Sequence, residues 1–227
     1  MTGIANMLGT PRGPTTKPSD YAAIEGVGDR NLMAAVEAAA SKPHIVYLSG
    51  LHVDRAPGAP IFRYKVEMEA ALKSSGLPYT ILRPTLLMGF FTDDLVRNGV
   101  AQLAGNFPHP VSPVHAGDVG IAAARCLGNP DAYGHAYELF GPEKMGFIEA
   151  IERWSRESGQ PVTIRRMPLF AFRVVSILLA FQLPVLRSIY PLIRACNVYD
   201  WSGDPETLRT LIGREPTTLA QFGRRGK

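Results

Sequence analysis

The chain has 227 residues, of which 46% are hydrophobic and 19% charged, and its net charge is +4. This balance is that of a soluble globular protein with one sizeable core or two small ones, and it excludes extensive disorder. No basic stripe interleaved with aromatic residues is evident, so we expect no nucleic-acid partner. Cys126 and Cys196 belong to no metal-ligand or disulfide spacing, so we expect buried thiols, no metal and a cytoplasmic location.

The N-terminal residues 1–20 predict a strand that runs into a loop. They have no basic start followed by a long apolar run, so we interpret them as something other than a secretory signal. Further along, three more apolar, β-branched segments alternate with helical patterns. Such alternation predicts parallel strands joined by crossover helices, and the four strand segments are "GIANML", "PHIVYLSG", "PYTILRP" and "HAYELFG".

Two helices are predicted between the first three strands. The first begins near Ser19 or Asp20, either of which can cap the free N–H groups, and it ends near Ser41. The second covers residues 61–75 and ends at Gly76, because glycine readily takes the left-handed conformation after a helix.

A third helix follows the segment "PVHAGDVG", in which His115 and Asp118 invite a catalytic interpretation. Capping is the favoured role for Asp118, since an acidic residue in the first turn of a helix accepts hydrogen bonds from free N–H groups and interacts favourably with the positive end of the helix dipole. Beyond Gly141 the pattern predicts a smaller, mostly helical region. Its apolar residues 174–186 are too few to span a bilayer.

Two glycine-containing segments were considered as phosphate-binding turns. "GVGDRN", residues 26–31, lies inside a helical pattern, so its glycines are interpreted as allowing close packing. "GTPRG", residues 9–13, follows a strand but enters a proline-containing loop instead of a helix. Neither segment supplies the helix N-terminus that holds a dinucleotide pyrophosphate.

Six motifs occur in an order that resembles an atypical short-chain dehydrogenase/reductase of the NmrA-like, NAD(P)H-binding kind. They lie within residues 3–162: "MLGTP", "YAAIEGVGDRNLMAAVEAA", "IVYLSGL", "IFRYKVEMEAALKSSGLPYTILRP", "PVHAGDVGIAAARCL" and "YELFGPEKMGFIEAIERWSRESGQPV". The resemblance implies an α/β, partial Rossmann-like parallel sheet in residues 1–140 that binds NAD or NADP. Residues 141–227 would form a mostly helical substrate or lid region. On the family's pattern "GIANML" is the fourth strand, so we expect the N-terminal strands and the glycine-rich turn to be missing.

The resemblance also implies roles for residues at strand ends. Gly9 and Thr10 would end the strand beneath the cofactor's adenosine side. Ser49 would face the nicotinamide, and Pro84 and Thr85 would end the strand on its other side.

Lys65 matches the family lysine that holds the cofactor ribose, so Ser49 and Lys65 are the catalytic candidates. The superfamily's tyrosine stands four positions before this lysine, where this sequence has Ile61. Tyr64 directly precedes Lys65 and points about 100° away around a helix, so we expect it to be a packing or surface residue. Without the resemblance, Lys65 would be interpreted as a surface residue paired with Glu69.

Three functions fit this sequence. The chain can be an NAD(P)-dependent oxidoreductase that acts on a small organic substrate without the usual tyrosine, a non-catalytic dinucleotide sensor or assembly factor, or a truncated gene product. We expect the chain alone to bind dinucleotides weakly or not at all. If the chain is truncated, its missing N-terminal part is expected to restore binding; if the short form is genuine, another chain or a homo-oligomer is expected to cover the open side of the sheet. The C-terminal apolar segment is expected to cover the substrate cleft as a packed lid, with contact to a membrane surface as the less favoured alternative.

Overall fold

The structure is a computed structural model that describes residues 3–7, 9, 17–55, 59–179, 182–183 and 185–225. The chain divides into two compact units. The first unit comprises Met1–Arg83, Ala123–Tyr137 and Ser176–Leu192, and the second comprises Pro84–Ala122, Glu138–Val175 and Ile193–Lys227. This is a division by compactness, and the separation into a cofactor part, residues 1–140, and a substrate part, residues 141–227, stays a prediction.

The strands of the described residues are short. In chain order they are β1 Gly3–Asn6, β2 His44–Leu48, β3 Tyr79–Pro84, β4 Val96–Arg97, β5 Val100–Ala104, β6 Pro110–Val111, β7 His135–Leu139, β8 Met145–Gly146 and β9 Thr163–Met167.

The α-helices are α1 Pro18–Tyr21, α2 Gly28–Ala38, α3 Pro60–Ser74, α4 Ala116–Cys126, α5 Phe147–Ser158, α6 Leu169–Leu178, α7 Val185–Val198, α8 Glu206–Ile212 and α9 Leu219–Arg225. A π-helical stretch, Ala22–Val27, joins α1 to α2, a second one covers Phe90–Asp94, and a 3₁₀ turn covers Pro130–Ala132.

The four segments predicted as strands form one sheet in the order β1-β2-β3-β7. β2 pairs in parallel with both β1 and β3, and Ile45 lies opposite Ile4 on one side and Tyr79 on the other. A strand in the interior of a parallel sheet is covered on both faces, which explains the nearly continuous apolar run of β2. The predicted α/β, Rossmann-like parallel sheet is therefore confirmed.

Helices α2 and α3 supply the apolar cover of the first unit. α3 begins with Pro60 at its first position, where a missing N–H is harmless, and the chain turns at Gly76 with a φ of 68°. Both predicted helices are thus confirmed to within a few residues. Their buried residues pack with β2 and β3 into one cluster, which contains Met33, Val36, Ile45, Tyr47, Met68, Leu72, Leu77 and Ile81.

The second unit has its own core and two small sheets. Strands β4, β5 and β9 form one sheet, in which β5 and β9 run parallel, and β6 pairs with β8 in the other. Four aromatic residues meet in the core: Phe107 stacks on Phe147 at 4.0 Å between ring centroids, Phe90 meets Phe147 edge-on, and the ring of Phe91 is tilted against it. The residues beyond Gly141 are mostly helical, as predicted, but the pairing of β9 with β5 was not foreseen.

Two smaller expectations were also tested. Cys126 and Cys196 are buried free thiols, as predicted. No helix in the described ranges is both long and apolar enough to cross a membrane.

Candidate functional site

The carboxyl end of β2 brings Ser49 and Lys65 close together. Lys65, on α3, donates from its ammonium to the carbonyl oxygen of Leu48 at 2.9 Å, directly beside Ser49. Ser49 is fixed in turn because its N–H donates to the carbonyl of Leu82 at 2.8 Å. Ser49 is 4% and Lys65 6% exposed. The surface interpretation of Lys65 was therefore wrong, and a buried ammonium here requires the fixed acceptors that this strand end supplies.

Ser49 belongs to a buried network around Glu69. The Ser49 hydroxyl donates to Glu69 Oε1 at 2.6 Å, and the Arg83 guanidinium binds both carboxylate oxygens of Glu69, with Nε at 2.9 Å from Oε1. Lys73 adds a bond of 3.2 Å from one turn further along α3. Glu69 thus pairs with Arg83 and Lys73.

The ionisation of Glu69 follows from these partners. Burial by itself raises the pKa of a carboxyl, but the hydrogen bonds from Arg83 and Ser49 and the charge of Arg83 outweigh it. The pKa of Glu69 therefore lies below its ordinary value. We call Ser49, Lys65, Glu69 and Arg83 the strand-end cluster. Glu69 and Arg83 were missed because their contact joins residues that are fourteen positions apart on different elements.

A second polar contact lies on the other side of Lys65. Asp29, on α2, accepts a bond of 2.7 Å from Asn6 at the end of β1 and one of 3.1 Å from the Tyr47 hydroxyl. Burial raises the pKa of Asp29, although these two hydrogen bonds and the charge of Lys65 oppose the rise. Burial and the neighbouring Asp29 also raise the pKa of Tyr47.

Neither tyrosine near Lys65 is placed as its catalytic partner. The Tyr64 ring packs against the π-helical stretch Ala22–Val27, where a Cβ added to Gly26 would lie 2.8 Å from it. The packing roles predicted for Tyr64 and for this glycine are confirmed. The Nζ atom of Lys65 lies over the Tyr47 ring, 5.4 Å from the ring centroid, but the Tyr47 hydroxyl donates its hydrogen bond to Asp29.

The remaining predicted residues are dispersed. Gly9 is exposed, Thr10 lies outside the described residues, and Pro84 is the buried last residue of β3. Thr85, in the second unit, donates its N–H to Leu139 and its hydroxyl to the Trp201 carbonyl at 2.6 Å. The cofactor-binding roles of these residues, and the catalytic roles of Ser49 and Lys65, stay predictions.

Asp118 lies in the first turn of α4, where a capping role was expected, and its carboxylate also binds the C-terminal segment. Its fully buried carboxylate accepts the Thr217 N–H at 2.6 Å and the Thr217 hydroxyl at 3.2 Å, and it pairs with Arg214. It therefore fastens the C-terminal segment to the first turn of α4. His115 packs against Phe222 at 5.8 Å between ring centroids. Within the described ranges no group of three or more His, Cys, Asp or Glu residues could hold a metal ion.

A family signature covers most of the chain. The pattern of the NmrA-like family matches residues 22–222, which include α2, the strand-end cluster and most of the second unit. The chain belongs to the NmrA-like family. The resemblance inferred from the six motifs is thereby confirmed.

Relatives of this NmrA-like chain include proteins of different kinds. Photosystem II assembly factor Ycf39 of Trieres chinensis is 26% identical over 190 residues, which cover 80% of this chain and 57% of that protein. Quinone oxidoreductase 2 of Escherichia coli is 28% identical over 204 residues, covering 85% and 67% respectively. The chain thus spans little more than half the length of the first of these relatives.

A solved structure agrees with the fold. The NADPH complex of the NADPH-dependent quinone oxidoreductase QOR2 from Escherichia coli superposes with a TM-score of 0.66 at 25% identity, covering 87% of this chain and 70% of that one. The NmrA-like family and such neighbours bind NAD(P), so a dinucleotide must be tested against the residues present here.

The described residues fit one half of such a cofactor. Lys65 has three N–H donors and Ser49 can accept as well as donate, so both can bind a ribose or a nicotinamide amide while keeping their present bonds. For the pyrophosphate the described part of the chain offers no glycine-rich turn that enters a helix after a strand. The fit is therefore to the nicotinamide nucleoside.

Proposed function

We propose that the chain is an NAD(P)-dependent oxidoreductase, or the larger part of one, which reduces a small organic acceptor. The observation that carries this proposal is the buried Lys65 ammonium beside Ser49 at the carboxyl end of the central strand. Ligands of open parallel sheets bind at this edge. When bound, the nicotinamide would supply the hydride.

Each member of the strand-end cluster has a part in this proposal. Lys65 binds the ribose hydroxyls, and Ser49 orients the nicotinamide. Glu69 and Arg83 act as positioning residues, because Glu69 accepts the Ser49 hydroxyl and Arg83 holds the Glu69 carboxylate in place. The proton for the reduced acceptor comes from solvent or from the acceptor's own hydroxyl, since Ile61 stands where the superfamily has its tyrosine.

A second candidate is a dinucleotide-binding factor without turnover. One observation favours it: Tyr64 packs on Gly26, and the Tyr47 hydroxyl is held by Asp29, so neither phenol is a ready proton donor. A relative named as an assembly factor is compatible with this alternative.

Two measurements on the chain separate these candidates. Oxidation of NADH and NADPH, followed at 340 nm with quinone and enone acceptors, is expected to exceed the rate without protein. Binding is measured separately by ligand-observed NMR with reduced nicotinamide mononucleotide, and ADP-ribose serves as the matched control for the other half of the cofactor. Binding of the mononucleotide without oxidation by any acceptor supports the second candidate, and stronger binding of ADP-ribose contradicts the fit to the nicotinamide half.

A further inference from the structure

Helix α6 exposes four large apolar side chains. Phe170 and Leu178 are each 73% exposed, Ile177 64% and Val174 52%. These positions are i, i+4, i+7 and i+8, so they form one stripe along the helix, which we call the α6 face. The buried residue of this helix is Ser176, a polar one. Leu169, Phe172 and Val175 are half-buried, so α6 carries apolar side chains on its packed side as well as on the exposed stripe.

The exposed apolar residues are concentrated around this helix. Outside it, Met167 precedes and Leu183 follows the helix in the chain, and they are 37% and 40% exposed. The other large exposed apolar side chains of the described residues are separated from one another along the sequence, such as Met7 and Val27. Isolated exposed apolar residues are normal, but a continuous patch marks a surface that contacts a partner or a membrane.

The charges of the same segment have a single sign. Between Thr163 and Tyr199 the sequence contains five arginines and no Asp, Glu or Lys; the arginines are Arg165, Arg166, Arg173, Arg187 and Arg194. Arg165, Arg166 and Arg173 are exposed, the first two on β9 and the third on α6 itself. Arg166 lines an open hollow of about 580 Å³ together with Met167 and Leu169, and none of the described residues that line this hollow is acidic.

We propose that the α6 face and the arginines around it bind the surface of a bilayer that contains anionic phospholipids. The acyl chains of such a bilayer can bury Phe170, Ile177 and Leu178, and its lipid phosphate groups can bind the arginines. Amphipathic helices with basic residues lie in this interface between headgroups and acyl chains. With ten residues α6 is about 15 Å long, half of the roughly 30 Å of a hydrocarbon core, so it lies in the surface plane.

A second copy of the chain is a poorer occupant of this face. A two-fold contact between two α6 faces would bring the arginines of both copies together, because an isologous interface pairs a patch with itself. Like charges placed in this way oppose association. A bilayer with anionic lipids carries the opposite charge.

Vesicle flotation of the full chain tests the proposal. With vesicles of phosphatidylcholine and phosphatidylglycerol at low salt, the protein is expected to float with the lipid, and with phosphatidylcholine alone it is expected to stay largely in the soluble fraction. The Phe170→Ser, Ile177→Ser double variant is expected to lose at least about tenfold in partitioning. The control Met7→Ser, Val27→Ser removes two exposed apolar side chains elsewhere and is expected to float like the original protein.

A charge series makes the test sharper. Neutralising Arg165, Arg166 and Arg173 to Gln is expected to weaken partitioning by about fivefold per arginine. A control of equal net charge neutralises three exposed basic residues elsewhere, namely Arg30, Lys42 and Arg97. The proposal is overturned if both triple variants lose equally, or if the chain stays soluble with anionic vesicles at low salt.

A third readout identifies other occupants. A Phe170→Trp variant is expected to show a blue-shifted tryptophan emission with anionic vesicles and quenching by brominated lipid, because the ring enters the acyl boundary. Light scattering is run on the same protein without lipid. A dimer that the Phe170→Ser, Ile177→Ser variant dissociates, with no tryptophan shift on vesicles, assigns the face to a second copy and contradicts the membrane proposal.

Discussion

The strand-end cluster and the α6 face distribute charge and apolar surface in opposite ways. In the cluster, Ser49, Lys65 and Glu69 are almost completely buried, and their polar atoms contact one another, Arg83 or a strand-end carbonyl. On α6 large apolar side chains face water and the arginines nearby are exposed. A buried charge needs partners fixed in advance, since an unpaired one is costly. An exposed apolar stripe, by contrast, can be covered only by another molecule that binds after folding. This difference distinguishes a binding site formed within the fold from a surface that binds another molecule or a membrane.

Two phenylalanines make the comparison measurable. Phe147→Ala removes a core side chain that is 1% exposed and is expected to lower the free energy of unfolding by about 4 kcal/mol. Phe170→Ala, on the α6 face, is expected to change it by no more than about 0.5 kcal/mol. Urea denaturation of the two variants measures both values. A loss at Phe170 comparable to that at Phe147 would show that the α6 face is packed in solution.

Glu69→Ala tests whether the buried network is held together by its carboxylate. The substitution removes the acceptor of Arg83, Lys73 and Ser49, and it is expected to lower the free energy of unfolding by about 3 kcal/mol. The matched control is Glu67→Ala, which breaks an exposed pair with Arg63 and is expected to cost at most about 1 kcal/mol. Equal losses for the two variants would mean that the network contributes nothing beyond a surface ion pair.

The pH dependence of stability provides a separate test of Glu69. Its pKa in the folded protein is below the ordinary 4.5, so the ionised form stabilises the fold above that pH, and the contribution disappears as the pH falls through the lowered value. The difference in unfolding free energy between the original protein and Glu69→Gln is expected to be complete at pH 6 and to shrink below about pH 4.5.

The raised pKa of Asp29 has the opposite effect on the pH dependence of stability, because ionisation of this buried carboxyl destabilises the fold as the pH rises. Asp29 is present in both proteins of the pH experiment, so its effect cancels in their difference. Urea titrations at a series of pH values measure that difference. A value that stays constant from pH 6 to pH 3 would contradict the role assigned to the Glu69 charge.

Lys65→Ala is expected to weaken binding of reduced nicotinamide mononucleotide by about tenfold, because a charged donor to the ribose is lost. Tyr64→Phe keeps the ring that packs on Gly26 and is expected to bind like the original protein. Ligand-observed NMR titration measures both affinities, and circular dichroism checks that each variant is folded. Unchanged affinity in Lys65→Ala would remove Lys65 from the site.

Much of the fold was predictable because its signals are local. Apolar segments with β-branched or aromatic residues predicted all four strands of the parallel sheet, and periodicity together with Gly76 located α3. Lys65 was identified by its place in an ordered set of motifs. These features depend on neighbours along the chain, and backbone propensities act over the same short distances.

The contacts that define the candidate site were decided only by tertiary structure. No local sequence pattern predicts that Glu69 binds Arg83 or that Asp29 binds the Tyr47 hydroxyl. The hydrogen bond between Asp118 and Thr217 is equally invisible to such patterns, because the two residues are far apart in the sequence. Nor does the sequence tell which side of α6 faces water, since that helix is apolar nearly all round and periodicity gives no direction. The sequence by itself determined the strands of the parallel sheet, the helices between them and the family of this protein. The partners of its buried charges and the exposure of its apolar stripe depend on which distant segments pack together, and only the folded chain specifies that.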